Sequence, residues 1–341
     1  MPEFFTLSRE DQREALLVAA ERSGRPLHLL EKDVWVVWAL QHLFAGPHAR
    51  HLVFKGGTSL SKAYGVIRRF SEDVDLTYDI RAIAPDLIEK AESPWPTSRS
   101  QEKKWSKAIR QRLADIVSRG LAPELAAALA DQGLPAKARA EDEQIFIDYE
   151  AFSQGTGYVA PSVQLEFGAR STGEPNEPRP VLCDAAAHLP EVSFPEATPQ
   201  VMRPERTFWE KATAIHVFCA QGSFRGGDRF ARHWHDVTRI DAAGFAGSAA
   251  ADRALAQAVA AHKSIFFAES TPDGAPINYQ AAVSGALVLA PSGGARQALA
   301  EDYRRMVEDG LLLDDAEPFD ALLERCSALA DKVNNATRGS T

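Results

Sequence analysis

Two periods organise the apolar and polar positions of this chain. Residues 8–23 follow the helical one: Ser8 can cap the helix, acidic residues fill its first turn, and Gly24 followed by Pro26 ends it. Residues 28–45, HLLEKDVWVVWALQHLFA, predict a second helix. Its second half is apolar on nearly all sides and is expected to be buried. Glu31, Lys32 and Asp33 at its charged start fit a solvated first turn or a buried ion pair equally well. A short apolar strand, His51–Phe54, then leads into a Gly-Gly-Thr-Ser turn and a short helix. A second strand follows, carrying Asp73 and Asp75 and running on through Thr77–Ile80.

Residues 83–100 hold three prolines and little periodicity, which predicts a loop. Residues 101–119 predict a helix ended by Gly120, and the Ala-rich stretch 121–142 predicts further helix with a break at Gly133–Pro135. The period then changes to two. Ile145–Ala151 reads as one strand and Tyr158–Arg170 as another. In the latter, Val163, Leu165 and Phe167 point one way and Gln164 and Glu166 the other. A proline-rich stretch with a short strand near Val181–Cys183 leads to a domain boundary placed near residue 195. Helical patterns follow over PERTFWEKATAIHVF, 229–242, 251–266, 294–308 and 316–334. Ala286–Ala290 reads as a strand or a buried turn.

The chain has 341 residues, 45% hydrophobic and 25% charged, enough for one large or two ordinary domains with sizeable cores. No stretch is apolar for long enough to span a membrane. Cys183, Cys219 and Cys326 are few, odd in number and scattered. That argues against a disulfide framework or a Cys-rich zinc site and leads to an expected cytoplasmic location. The net charge of −9 argues against a globally basic nucleic-acid binder. A local basic surface remains compatible with it, because screening confines the relevant field to roughly 10 Å. One candidate is the run from Arg99 to Arg119, where seven Lys or Arg face two acids; Lys103, Lys104, Lys107 and Arg110 are its RNA-contact candidates. Arg225, Arg229 and Arg232 are a second group, since guanidinium groups suit phosphates. A solvated helix face would explain either run as well.

The stretch KGGTSLSKAYGVIRRFSEDVDL concentrates the chemistry. Residues i and i+2 of a strand face the same side, so Asp73 and Asp75 project together while Val74 and Leu76 face the core. Paired carboxylates of this kind suit Mg²⁺, and two such ions assist nucleotidyl transfer in many enzymes. The turn of Gly56, Gly57, Thr58 and Ser59 can bring backbone N–H groups to phosphate oxygens, with Lys62 one helical turn further on. Glu166, on the polar face of a core-forming strand, is the candidate third carboxylate. An ordinary exposed glutamate fits that pattern too.

KGGTSLSKAY with RRFSEDVDL, the upstream EKDVWVVWAL, the later VQLEFGARS, and PERTFWEKATAIH followed by ARHWHDVTRI together resemble the AbiEii/AbiGii toxin family of nucleotidyltransferases. The resemblance runs from about Glu31 to the final helix. It implies an α+β fold: a polymerase-β-like nucleotidyltransferase core over residues 1–195, with a helical insertion near 100–140, and a helical C-terminal domain over 196–341. It implies a toxin of a toxin–antitoxin or phage-defence system that uses a nucleoside triphosphate and Mg²⁺ to add nucleotides to RNA, the tRNA 3′ end first among the candidates. A cognate antitoxin is the expected protein partner. The family's phosphate motif falls on Gly56, Gly57 and Thr58 or Ser59, and its metal pair on Asp73 and Asp75. Its triphosphate-contacting lysine falls on Lys211 and its later acid on Asp236; many members carry another acid where His233 stands here. Taken by itself, Lys211 in the apolar face of Phe208, Trp209, Ala212 and Ile215 calls for an anionic partner or for a stem that snorkels to water. Two other functions fit the same residues: modification of a protein hydroxyl with AMP or UMP, and a non-enzymatic module that binds antitoxin or nucleotide.

Overall fold

The computed structural model describes residues 1–69, 73–89, 95–153, 160–222, 230–308, 310, 312 and 316–338. The chain divides into two compact units. The first comprises Met1–Ala63, Glu72–Leu87 and Lys107–Val201; the second comprises Tyr64–Ser71, Ile88–Ser106 and Met202–Thr341.

The first unit opens with helix α1 (Arg9–Ser23). Ser8 accepts a hydrogen bond from the Asp11 N–H, and Gly24 closes the helix in the left-handed conformation. Helix α2 (Leu27–Ala45) is buried from Leu30 to Leu40. Its charged start is inside as well, so the solvated alternative for Glu31, Lys32 and Asp33 does not hold. Glu31 accepts from the Phe152 N–H, Lys32 reaches the Ala160 carbonyl, and Asp33 pairs with Lys62.

Strand β1 (Leu52–Lys55) passes directly into helix α3 (Gly56–Lys62), and strand β2 (Asp73–Tyr78) follows. Strand β2 ends at Tyr78, and Ile80, expected at the end of the strand, opens the short helix α4 (Ile80–Ile83); a second short helix, α5 (Pro85–Glu89), lies where the prolines predict only loop. Helix α6 (Arg99–Ile116), of which Arg99–Ser106 counts with the second unit, does not stop at Gly120. A π-helical turn, Val117–Leu121, carries it into α7 (Ala122–Asp131). Gly120 serves a close approach instead: a Cβ there would lie 3.0 Å from His48 Nε2.

Past Gly133 the expected helix is replaced by strand β3 (Ala136–Glu141), which pairs along its whole length with β4 (Gln144–Tyr149). Strand β5 (Ser162–Gly168) is shorter than expected, and residues 158–159 lie outside the described residues. It shows the predicted alternation, with Val163, Leu165 and Phe167 buried. Short strands β6 (Asn176–Pro178), β7 (Val181–Leu182), β8 (Glu196–Ala197) and β9 (Gln200–Met202) complete the unit. The main sheet has seven strands in the order β3-β4-β5-β2-β1-β9-β6. Neighbours β1 and β2 are antiparallel, whereas β2 and β5 are parallel.

The second unit is mainly helical. Helix α8 (Pro204–Gln221) starts with proline in its first turn, where the missing N–H costs nothing, and ends at left-handed Gly222. Around it stand α9 (Arg232–Ala242), α10 (Phe245–Ala251), α11 (Arg253–Phe266), α12 (Tyr279–Ala282), α13 (Gly293–Glu308) and α14 (Phe319–Arg338). Two tryptophans tie the bundle with their indole N–H groups: Trp209 donates to the Ala249 carbonyl and Trp234 to that of Leu289. Asp302 on α13 accepts from the Ala231 N–H at the start of α9. The stretch Ala286–Ala290 forms no regular element.

Candidate active site

In the first unit the carboxylates are set by strand register. Asp73 pairs with Gln164 and Asp75 with Glu166 across the β2–β5 ladder, while Asp75 pairs with Lys55 across β1–β2. Residues in register share a face of the sheet, so Asp73, Asp75, Glu166 and Lys55 share one face, and all are partly exposed. Lys55 Nζ lies 3.9 Å from Asp75 Oδ1. Glu166 Oε1 accepts from Gln164 Nε2 at 2.7 Å and Gln144 Nε2 at 3.3 Å.

The first turn of α3 is built around the same carboxylate. Gly56 has φ +79°, a conformation that L side chains rarely adopt, and a Cβ on it would collide with the Asp75 carboxylate. Thr58 donates its hydroxyl to the Asp73 carbonyl, and Ser59 donates to the Gly56 carbonyl at 3.0 Å. Both hydroxyls are therefore engaged by backbone carbonyls, that of Thr58 by β2 and that of Ser59 within the turn. What this turn offers a phosphate is backbone N–H, since the first N–H groups of a helix have no intrahelical acceptor.

Lys62 stands elsewhere. Its ammonium is nearly buried between Asp33 Oδ1 at 2.6 Å and Asp184 Oδ1 at 2.7 Å. Asp184 also takes Arg25, and its N–H donates to Asp33 Oδ2. Burial alone would depress the Lys62 pKa, but Asp33 and Asp184 raise it above its ordinary value. The expected phosphate contact is instead an internal ion cluster that fixes the end of α3 against α2 and the segment at 184.

In the second unit a buried cluster forms around Asp236, which is 0% exposed. Arg69 grips it with a two-pronged pair, Nε to Oδ1 and Nη2 to Oδ2, both at 2.8 Å. Lys211 Nζ lies 2.9 Å from Oδ2 and 3.5 Å from His233 Nδ1. Burial would raise the Asp236 carboxyl pKa, but Arg69 and then Lys211 outweigh it and hold the carboxyl well below the usual range. The Lys211 pKa is lowered, first by burial and also by Arg69, against the pull of Asp236. His233 is pushed well below its ordinary value by burial and by Lys211 and Arg232, so its imidazole is neutral.

Sequence reasoning missed Arg69, Lys55 and Asp184; for Asp33 it offered a buried ion pair as one of two readings, without its partner Lys62. No local signal separates Arg69 from Arg68, yet the first is buried and the second exposed. Of the basic candidates, Lys103, Lys104, Lys107 and Arg110 share the exposed side of α6, opposite buried Trp105 and Ile109. Arg110 lies 3.7 Å from Glu143. Arg232 opens α9, half-buried. Arg225 and Arg229 lie outside the described residues.

In the α+β first unit, then, a glycine turn packs on an Asp-x-Asp strand. The chain belongs to the AbiEii family, nucleotidyl transferase toxins of type IV toxin–antitoxin systems, whose pattern matches residues 38–325. Membership makes it a toxin-class nucleotidyltransferase and suggests an antitoxin partner. Among curated proteins no sequence matches it. Among solved structures it is similar to MenT4, a nucleotidyltransferase toxin from Mycobacterium tuberculosis, at 17% identity and TM-score 0.43, covering 95% of this chain and 97% of that one. It is also similar to JHP933 from Helicobacter pylori, at 12% identity and TM-score 0.39, covering 92% and 95%. Among the described residues, no helix is long and apolar enough to cross a membrane.

Proposed function

We propose that the protein transfers a nucleoside monophosphate from a nucleoside triphosphate to RNA, with the tRNA 3′ end as the preferred acceptor, in a Mg²⁺-dependent reaction. The observation that carries the proposal is the packing of Asp75 onto Gly56, which builds the phosphate turn and the carboxylate pair as one unit.

The donor set fits Mg²⁺. Asp73 and Asp75 offer hard oxygen ligands on one partly exposed face, and Mg²⁺ commonly binds through one or two carboxylates plus substrate phosphates. Among the described residues no three acidic, His or Cys side chains converge into a metal cage, so phosphate oxygens and water would complete the shell. When bound, such ions neutralise the triphosphate and activate the attacking hydroxyl. Glu166, oriented by Gln144 and Gln164 in register with Asp75, serves as an acceptor for the hydroxyl proton. The N–H groups of the Gly56–Ser59 turn hold phosphate. In the second unit Lys211, anchored by Asp236, is the candidate cation for a phosphate group. The exposed Lys103, Lys104, Lys107 and Arg110 on α6 supply the RNA-binding charge, with Arg232 as a further candidate.

The test is incubation with each labelled nucleoside triphosphate, Mg²⁺ and total RNA, followed by gel separation. Label in a tRNA-sized band is expected. Label in protein alone would replace the RNA acceptor with a protein hydroxyl, and no label with any triphosphate would leave a binding function only.

A further inference from the structure

We propose that a cavity in the first unit, walled by aromatic rings and fronted by Glu3 and Glu196, is a binding site for an aliphatic polyamine. None of Asp73, Asp75, Glu166, Lys211 or Asp236 lines it, so the site is independent of the transferase assignment.

Remote parts of the chain build this cavity. The Phe4 N–H donates to the Ser193 carbonyl at 2.8 Å, and the Ser193 N–H donates to that of Pro2 at 2.9 Å. These bonds strap the N-terminal residues along the segment that leads to β8, and the rings of Phe4 and Phe194 stack with centroids 5.0 Å apart. Trp38 and His42, one turn apart on α2, form another wall with Gln132, which follows α7. The enclosed volume is about 420 Å³, inside the range of about 300–1,000 Å³ that small-molecule sites occupy.

That second wall is fixed by a chain of hydrogen bonds. The Trp38 indole N–H, which can only donate, goes to Gln132 Oε1 at 3.0 Å. The amide nitrogen of Gln132 therefore faces His42 Nε2, at 2.8 Å, and donates to it. His42 Nδ1 in turn donates to the Trp38 carbonyl at 2.8 Å. These bonds fix the imidazole as a neutral tautomer, and its ring packs on that of Trp38 at 4.2 Å between centroids.

The cavity thus has no positive charge of its own: among the described residues that line it there is no Lys or Arg. Its charges are Glu3 and Glu196. Both are exposed, and neither side chain enters an ion pair or a hydrogen bond among the described residues. One exposed glutamate alone would mean nothing, since most are solvated. Two in front of buried aromatic rings select a cation with an apolar stem, because carboxylates pair with ammonium groups while ring faces attract cations and cover methylenes. Two carboxylates match at least two positive charges, which a polyamine carries and a monoamine does not.

Spermidine is the probe, titrated into the full-length protein without Mg²⁺, nucleotide or RNA and followed by calorimetry. One saturable site is expected. Butylamine, with a similar stem and one charge, should bind at least about tenfold more weakly. Glu3→Gln together with Glu196→Gln should weaken spermidine binding by about tenfold or more. Because a net charge of −9 attracts any polycation, a control removes two charges elsewhere: Glu324→Gln with Asp331→Asn, both exposed on α14, should leave the affinity within about twofold. If the Glu3 and Glu196 double variant does not fold, Glu196→Gln alone is compared with the control, and a loss of at least about threefold is expected. No saturable site in the wild type overturns the proposal. So do equal affinities for butylamine and spermidine, and a loss in the cavity variant no larger than in the control.

Discussion

Oδ2 of Asp75 occupies the space that a side chain on Gly56 would need: a Cβ there would lie 2.0 Å from that oxygen and 2.7 Å from Cγ. Gly56 is thus required for its left-handed backbone and for its missing side chain. Gly56→Ala is expected to displace Asp75 and lower nucleotidyl transfer by about 100-fold or more. Its cost in stability should be only about 1–3 kcal/mol. Turnover with labelled triphosphate, set beside thermal denaturation, checks both halves. Wild-type turnover in the alanine variant would detach Asp75 from the chemistry.

Asp73→Ala should leave the fold intact, because the carboxylate is partly exposed on a strand whose core faces are Val74 and Leu76. Growth arrest on expression should disappear with it. Arrest that persists in this variant would mean that toxicity does not need the metal pair.

Lys62→Met leaves Asp33 and Asp184 facing each other without their common cation. Breaking a buried pair from one side costs about 3–5 kcal/mol, so a large drop in the denaturant midpoint is expected. The folded fraction should keep its affinity for triphosphate. A variant of normal stability with lost affinity would return Lys62 to the phosphate site.

Glu31 is 2% exposed, and burial raises its pKa from 4.5 to about 7, against the Phe152 N–H and Arg9. The native state thus holds this proton more tightly than the unfolded chain. The contribution to stability is full below about pH 4.5, declines as pH rises toward about 7, and is constant above. Integrated, the loss is on the order of 3 kcal/mol. Glu31→Gln should flatten this slope. Urea unfolding at about pH 5 and about pH 8 measures it, and a slope identical in both proteins would contradict the assignment.

Lys103, Lys104 and Lys107 are exposed on α6 and enter no ion pair among the described residues. Replacing all three with Glu should weaken RNA binding across sequences. It should also reduce the slope of log K against log salt by about 0.7 per lost single-strand phosphate contact. Fluorescence anisotropy over a salt series gives both quantities, and an unchanged slope would exclude this face.

Much of the front of the site is legible because its signals are local. The glycines, the short strands and the i, i+2 carboxylates lie within one stretch, and the alternation of Val163, Leu165 and Phe167 against Gln164 and Glu166 fixes the faces of β5 without knowledge of its neighbours. The cap at Ser8 and the stop at Gly24 are likewise set within a few residues. Where local propensity and long-range pairing disagreed, pairing won. AKARAE is rich in helix formers, yet it is a strand because six residues of β4 complete its ladder. Its charged residues, Lys137, Arg139 and Glu141, stand on the exposed side.

The amino-acid order by itself determined the turn, the carboxylate pair and the faces of the strands that carry them. Only the tertiary structure decided which charges are partners. Asp75 stands beside Glu166 because β2 and β5 pair in parallel in one particular register. Lys62 finds Asp33 on α2 and Asp184 in a distant segment. Arg69 finds Asp236 across 167 positions. Periodicity records whether a side chain faces in or out, because burial repeats with the geometry of one element. It carries no record of which opposite charge waits inside, because that pairing is made only when remote parts of the chain are packed together.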